Sequence, residues 1–225
     1  FIEGAPIVEV DSVSRRGLDK LVQKIDEISE DIEEKKTDAP SRMSIDRVFS
    51  LKGFGTIVTG TLIEGKISVD DEMTIYPSEK KVKVRNLQVH GCDVKTAYAG
   101  QRTAINLSNI KVSEIQRGDV IAQTGSVEES MMIDVNISLV EHCKKSLKHW
   151  DRIRIFHGTK QILCRIVPLN EDEIQYGESG YAQLRLEEKI VAKKGDRFII
   201  RSYSPMDTIG GGVIIDTAPK KHKIY

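Results

Sequence analysis

The chain has 225 residues with 34 Lys and Arg against 34 Asp and Glu, a net charge of zero. That balance excludes a protein that coats nucleic acid or a membrane surface through its overall charge, so any polyanionic partner must be met by a local patch. No apolar run reaches the roughly 20 residues of a membrane span, and the N-terminus lacks the basic and apolar regions of a signal peptide, so the chain reads as soluble and cytoplasmic. Cys92, Cys143 and Cys164 are an odd number without a C-x-x-C pair and read as reduced, structural residues. The histidines, among them His90, His142, His149 and His157, are scattered without ligand spacing, and the sequence predicts no metal site.

In chain order, Pro6 to Val10 reads as a short apolar strand. After it, Leu18, Leu21, Val22, Ile25, Ile28 and Ile32 fall on one helical face with charge on the other. A strand followed by a helix with one apolar stripe resembles the last βα piece of an α/β domain, spanning 1–36. Pro40 then marks a linker over 37–43. From Ser44 the hydrophobic period becomes two, most clearly in KVKVR at Lys81 to Arg85 and QLRLE at Gln183 to Glu187. Turn residues such as Gly65, Asp70-Asp71, Gly91, Gly118-Asp119, Gly177 and Gly195-Asp196 recur between short strands. A break at Gly125 to Ser130 divides this β region into 44–126 and 127–225, each suited to a small closed barrel. Glu141 to Trp150 reads as a basic loop ahead of a strand at Arg152 to Phe156. The predicted fold is mainly β, two consecutive barrels after a strand–helix piece.

One stretch, SLKGFGTIVTGTL from Ser50 to Leu62, invites comparison with a phosphate-binding loop. From Gly55 it follows G-x-x-x-x-G-K-[ST] in its glycines, but Thr61 replaces the lysine that would neutralise a phosphate and Leu62 the hydroxyl residue after it. Ile57 and Val58 are β-branched and favour extended chain, so Gly53 and Gly55 read as a turn and Thr56 to Ile63 as the strand after it. On that reading the chain neither binds nor hydrolyses GTP. A second glycine run, Gly210 to Gly212 in TIGGGVII, weakens a strand unless a backbone or an RNA comes close, and close barrel packing is the expected reason. The segment Lys189 to Tyr225 has eight Lys and Arg against three Asp and Glu, a solvated face or an edge beside RNA.

RVFSLKGFGTIVTGTLIEGKISVDDEM and AGQRTAINLSNIKVSEIQRGDVIA resemble the second domain of translational GTPases of the elongation factor Tu kind. RIRIFHGTKQILCRIV and GDRFIIRSYSPMDTIGGGVIIDTAPKKHK resemble the third domain of bacterial selenocysteine-specific elongation factors, and APIVEVDSVSRRGLDKL resembles the end of that family's GTPase domain. The resemblance implies two elongation-factor barrels that bind the aminoacyl end of selenocysteinyl-tRNA for GTP-dependent delivery to the ribosome at recoded UGA codons. It implies GTP and Mg2+ in a complete protein, although the phosphate loop, switch segments and guanine motif are missing from these residues. It further implies an mRNA hairpin as a partner through a C-terminal region that these residues do not include, and no membrane.

Carried over residue by residue, the selenocysteine pocket would be Asp46, Arg47 and Arg102, and the terminal adenosine would lie near Leu51, Gly53, Thr59 and Gln88. Strand neighbours point to opposite faces, so Asp46 and Arg47 share a pocket only at a strand end or irregularity. The plain alternative is that both arginines are surface residues paired with carboxylates. The competing function is an accessory barrel scaffold of another GTPase-linked protein, such as elongation factor Tu itself, an initiation-factor γ subunit or a nucleotide-sulfurylating enzyme. No Ser/His/Asp, Cys/His or paired-carboxylate set points to catalysis.

Overall fold

The computed structural model describes residues 4–33, 35–143, 145–169 and 171–222. They fall into two compact units, residues 1–35 and 36–225. In the first, the apolar stripe forms the helix α1 (Leu18–Glu30). Gly17 opens it in the left-handed region at φ 80°, where a β-carbon would stand 2.3 Å from the carbonyl oxygen of Glu9. The strand expected over Pro6 to Val10 does not form. A strand exists by pairing, and among the described residues nothing pairs with this segment.

The second unit is all β. Its first barrel comprises β1 (Arg42–Leu51), β2 (Gly55–Glu64), β3 (Lys66–Ser68), β4 (Glu72–Tyr76), β5 (Lys80–Val89), β6 (Cys92–Val94), β7 (Thr96–Tyr98), β8 (Arg102–Ser108) and β9 (Val120–Gln123). The order β4-β9-β1-β2-β8-β5 closes through a β4–β5 pairing, with β6 beyond β5 and β3–β7 a separate ribbon. Alternation along β5 and β8 turns Val82, Val84, Leu87, Ile105 and Leu107 inward. Closure removes the unpaired edges that an open sheet of this length would expose.

The glycine stretch turns the chain. Leu51 pairs with Gly55 across a short β1–β2 loop, with Gly53 and Gly55 at φ 87° and 88°. Open space surrounds both, so the backbone angle and not a neighbour requires glycine there.

The second barrel comprises β10 (Glu129–Leu139), β11 (Leu147–Lys148), β12 (Arg152–His157), β13 (Lys160–Pro168), β14 (Glu173–Ile174), β15 (Ser179–Val191), β16 (Arg197–Ser202) and β17 (Thr208–Asp216). It closes in the order β10-β15-β13-β12-β16-β17, and β11–β14 forms a small separate ribbon. Glu141 to Trp150 holds a single 3-10 turn and β11, and Lys144 lies outside the described residues. The core is aliphatic, Ile133, Val135, Ile155, Ile166, Leu184 and Ile200 among it. Cys164 lies in that core, where burial pushes its thiol up to about 12 and keeps it protonated.

The three glycines of β17 are packed. A β-carbon would meet the Ser138 carbonyl oxygen at 2.3 Å from Gly210, the Phe198 oxygen at 2.7 Å from Gly211 and the Asn136 oxygen at 2.0 Å from Gly212. The neighbouring strands β10 and β16 come too close on either side to admit any side chain.

Charges buried between the barrels join them. Arg42, 3 % exposed, donates through Nη1 and Nη2 to the two carboxylate oxygens of Asp196 at 2.6 and 2.7 Å and through Nε to Glu64 at 2.8 Å. Asp196 also accepts from His157 Nε2 at 2.9 Å and from the Lys193 amide at 2.9 Å, while the Lys193 ammonium pairs with Glu64 at 2.7 Å. Burial alone would raise the Asp196 pKa, but these donors, Arg42 foremost, hold it well below the usual carboxylate range. Tyr76, Val120, Ala122, Val127 and Val191 form a small apolar cluster alongside.

Two expectations follow for the isolated chain. Gly212→Ala should cost about 1–3 kcal/mol by forcing two strands apart, seen as a lower midpoint in thermal unfolding. Asp196→Asn should cost about 3 kcal/mol at pH 7, because Arg42 stays buried without its main partner. A depressed carboxylate pKa contributes stability above its unfolded value, near 3.9, and loses it as pH falls. The gap between wild type and Asp196→Asn should therefore narrow between about pH 5 and pH 2 in urea titrations.

Candidate functional site

Asp46 is the extra residue of a β-bulge. In the β1–β2 register Ile45 faces Gly60 and Arg47 faces Thr59, so Asp46 has no partner of its own. Gly60 permits this, because a β-carbon there would stand 2.2 Å from the Ser44 carbonyl oxygen. The bulge brings Asp46 to the same outer face as Arg47, the irregularity that a shared pocket requires.

Asp46 accepts from Thr59 Oγ1 at 2.6 Å and from Arg102 Nη2 at 3.2 Å, with a second ion-pair contact from Arg102 Nη1. Partial burial works to raise its pKa, but Arg102, then Thr59, and the nearby Arg47 charge hold it below the usual value. The same pairing raises the Arg102 pKa further. Arg102 keeps its half-exposed head at the surface, and Arg47, next to Asp46 on β1, is exposed and makes no ion pair among the described residues. One carboxylate against two guanidiniums leaves this corner of the face positive.

Register aligns a row across this face. Arg47 pairs with Thr59, Thr59 with Ala104, Ala104 with Gln88, and Gln88 with Asp93, running β1-β2-β8-β5-β6. Directly paired residues share a face, so these five side chains stand in one line. Ala104, the shortest, floors an open depression of about 240 Å³ lined by Thr59, Gln88, His90, Arg102 and Thr103. Thr59, Gln88 and Arg102 thus come together. Leu51 and Gly53 stand apart at the β1–β2 hairpin end and do not line it.

The sequence reading missed five contributors. His90, at φ 53° in the β5–β6 turn, lines the depression. Phe49, Ile57 and Asn106 form the next row, a partly apolar shelf whose Asn106 Oδ1 is buried without a partner. Asp93 accepts from both Gln88 and Asn86. The β-alternation of Phe49 and Ile57 was available as a signal, but the register that sets them beside Thr59 was not.

The outer face of the second barrel carries arginines opposite arginines. Arg152 pairs in register with Arg165, Arg165 with Arg185, and Arg154 with Arg201. Aromatic rings lie beneath several heads: Arg152 and Arg154 are 4.8 and 5.3 Å from the Tyr203 ring centre, and Arg185 is 5.1 Å from that of Trp150. Glu187 forks onto Arg152 at 2.8 and 2.6 Å, while the Nε atoms of Arg154, Arg185 and Arg201 are buried without acceptors. Like charges directly opposite are unfavourable, and aromatic faces offset only part of that repulsion. Such a face suits a polyanion.

A pair of closed barrels clamped by buried charge, with arginine-bearing outer faces, places the chain in the class of elongation-factor barrel domains. Residues 55–122 match the family "Elongation factor Tu domain 2", and residues 134–221 match "Selenocysteine-specific elongation factor, beta-barrel domain". The selenocysteine-specific elongation factor of Desulfomicrobium baculatum is 38% identical over 98% of this chain and 35% of its own length. The crystal structure of elongation factor SelB from Methanococcus maripaludis with the GTP analogue GppNHp has a TM-score of 0.83 at 25% identity, over 97% of this chain and 52% of that one. A bacterial selenocysteine-specific elongation factor, EF-Sec, superposes with a TM-score of 0.81 at 26% identity, over 94% of this chain and 34% of that one. The chain belongs to the selenocysteine-specific elongation factor family and spans about a third to a half of the length of these relatives.

Proposed function

We propose that these barrels are the tRNA-holding part of a selenocysteine-specific elongation factor, and that the outer face of the first barrel receives the selenocysteinyl end. The observation that carries this reading is the Asp46 bulge, which brings Asp46 to the outer face, where it anchors Arg102 in the lining of an open depression next to the exposed Arg47 on its own strand. A selenol is more acidic than a thiol, so the esterified selenocysteine is largely a selenolate at neutral pH, whereas serine on the precursor tRNA is a neutral hydroxyl. Guanidinium keeps its charge at any such pH and meets the anion, and Asp46 and Thr59 hold Arg102 in place. Serine would leave both arginines without an anion, which counts against the wrong ligand as well as for the right one.

Thr59 and Gln88 would flank the terminal adenosine, with Leu51 and Gly53 meeting the chain leading to it. The arginine face of the second barrel would track the phosphates of a tRNA stem. Selectivity and grip are then separate: the first barrel reads the aminoacyl group and the second reads charge spacing. Delivery to the ribosome at UGA codons, with GTP and Mg2+ and an mRNA hairpin, belongs to the complete protein in this reading. The chain contributes recognition and no bond-breaking step.

In the complete GTP-bound factor, Arg102→Ala should weaken selenocysteinyl-tRNA binding by about 10- to 150-fold and seryl-tRNA binding far less. The wild-type preference should also shrink as pH falls below the selenol pKa, as measured by fluorescence titration. Equal losses for both tRNAs would make Arg102 a phosphate or structural contact and move the selectivity elsewhere. By contrast, Arg154→Ala with Arg201→Ala should weaken both tRNAs alike and lower the slope of log K against log salt by about 1–2.

A further inference from the structure

We propose that Asp93 is a positioning residue that turns the Gln88 amide so that its carbonyl oxygen faces the depression, where it accepts a hydrogen bond from the exocyclic amine of the terminal adenine. The proposal rests on the reading of this face as the seat of the tRNA 3′ end. Gln88 lies between two neighbours in the sheet: Ala104 of β8 on the side of the depression and Asp93 of β6 on the other. Its Nε2 donates to Asp93 Oδ1 at 2.8 Å, and Asn86 Nδ2 donates to the same oxygen at 2.9 Å. A carboxylate can only accept, so it selects the NH2 end of the amide and directs it away from the depression. Those two amides, Gln88 first, hold the Asp93 pKa below the usual value, so the acceptor stays ionised at neutral pH.

The consequence is chemical. An exposed glutamine amide without such an anchor swings freely and offers either end. Held by Asp93, Gln88 offers an acceptor, which matches adenine with its amine at C6 and mismatches hypoxanthine, which carries a carbonyl there.

The test uses the complete GTP-bound factor with selenocysteinyl-tRNA ending in adenosine, in inosine or in unsubstituted purine riboside. Wild type should prefer adenosine over purine riboside by about 2- to 10-fold and over inosine by more. Asp93→Ala should bring the adenosine-to-inosine ratio close to one while leaving the selenocysteinyl-to-seryl ratio unchanged. Asp93→Asn, which still presents an accepting Oδ1, should keep most of the preference. Gln88→Ala should abolish it and make a further Asp93→Ala silent. Equal weakening of all three tRNAs by Asp93→Ala would mark it as merely structural and overturn the proposal. So would a wild type indifferent to the terminal base but still selective for selenocysteine, a result that leaves the pocket reading intact. Indifference to both would overturn the pocket reading itself.

Discussion

Arg42 is as buried as the isoleucines of the barrel cores, and a guanidinium can stay there only if its charge and its donors are met. Asp196 and Glu64 meet them, one from each barrel. This pairing does more than join two domains. The barrel contact it secures brings Thr159 of the second barrel against β1, where its hydroxyl donates to the Ile45 carbonyl at 2.7 Å. The same carbonyl accepts from Gly118 at 2.9 Å, and the Ile45 amide donates to Asp119 at 2.9 Å. The backbone just before Asp46 thus bonds toward β9 and the second barrel, and the β1–β2 register slips by one residue at the next position. The bulge that aims Asp46 at Arg102 lies next to a residue that touches the second barrel.

This gives the first barrel a rigid outer face. The row from Arg47 to Asp93 crosses five strands, each held in register by its ladder. Side chains on such a frame lose little freedom when a ligand arrives, which favours selectivity between ligands of nearly equal size. Selenocysteine and serine differ by one atom. Charge can separate them where shape cannot, and charge needs guanidiniums fixed before the ligand arrives.

Most of the fold was legible in the sequence because it rests on local rules. Alternation in KVKVR and QLRLE located β5 and β15, the missing lysine after Gly60 ruled for a turn and strand, and three adjacent glycines foretold strands packed too close for side chains. The helix was legible from Leu18, Leu21, Val22, Ile25 and Ile28. The unformed strand at Pro6 to Val10 shows the limit of the same rules, since apolar alternation proposes a strand but a partner makes one. The clamp lay beyond reach for another reason. Arg42 sits in a segment that reads as a linker and Asp196 in a turn, 154 residues apart, and no periodicity connects them. Asp46, Arg47 and Arg102 were named through resemblance. The bulge that puts the first two on one face is a one-residue slip between β1 and β2 at Ile45/Arg47, which no local pattern encodes.

The net charge of zero conceals how unevenly charge is placed. Carboxylates are spent where an arginine must be silenced or fixed: Asp196 and Glu64 on Arg42, Asp46 on Arg102, Glu187 on Arg152. Arg47, Arg154, Arg185 and Arg201 make no ion pair among the described residues. They stand on two outer faces of one compact unit, Arg47 alone on the first barrel beside the Asp46–Arg102 pair and the other three in a ladder on the wall of the second. Screening confines exposed charge to about 10 Å at ordinary salt, so each face acts locally and the balancing acids elsewhere do not cancel it. A ligand with one anion at its tip and a regular run of phosphates behind it would find both, which a uniformly basic protein could offer only at the cost of binding every polyanion it met.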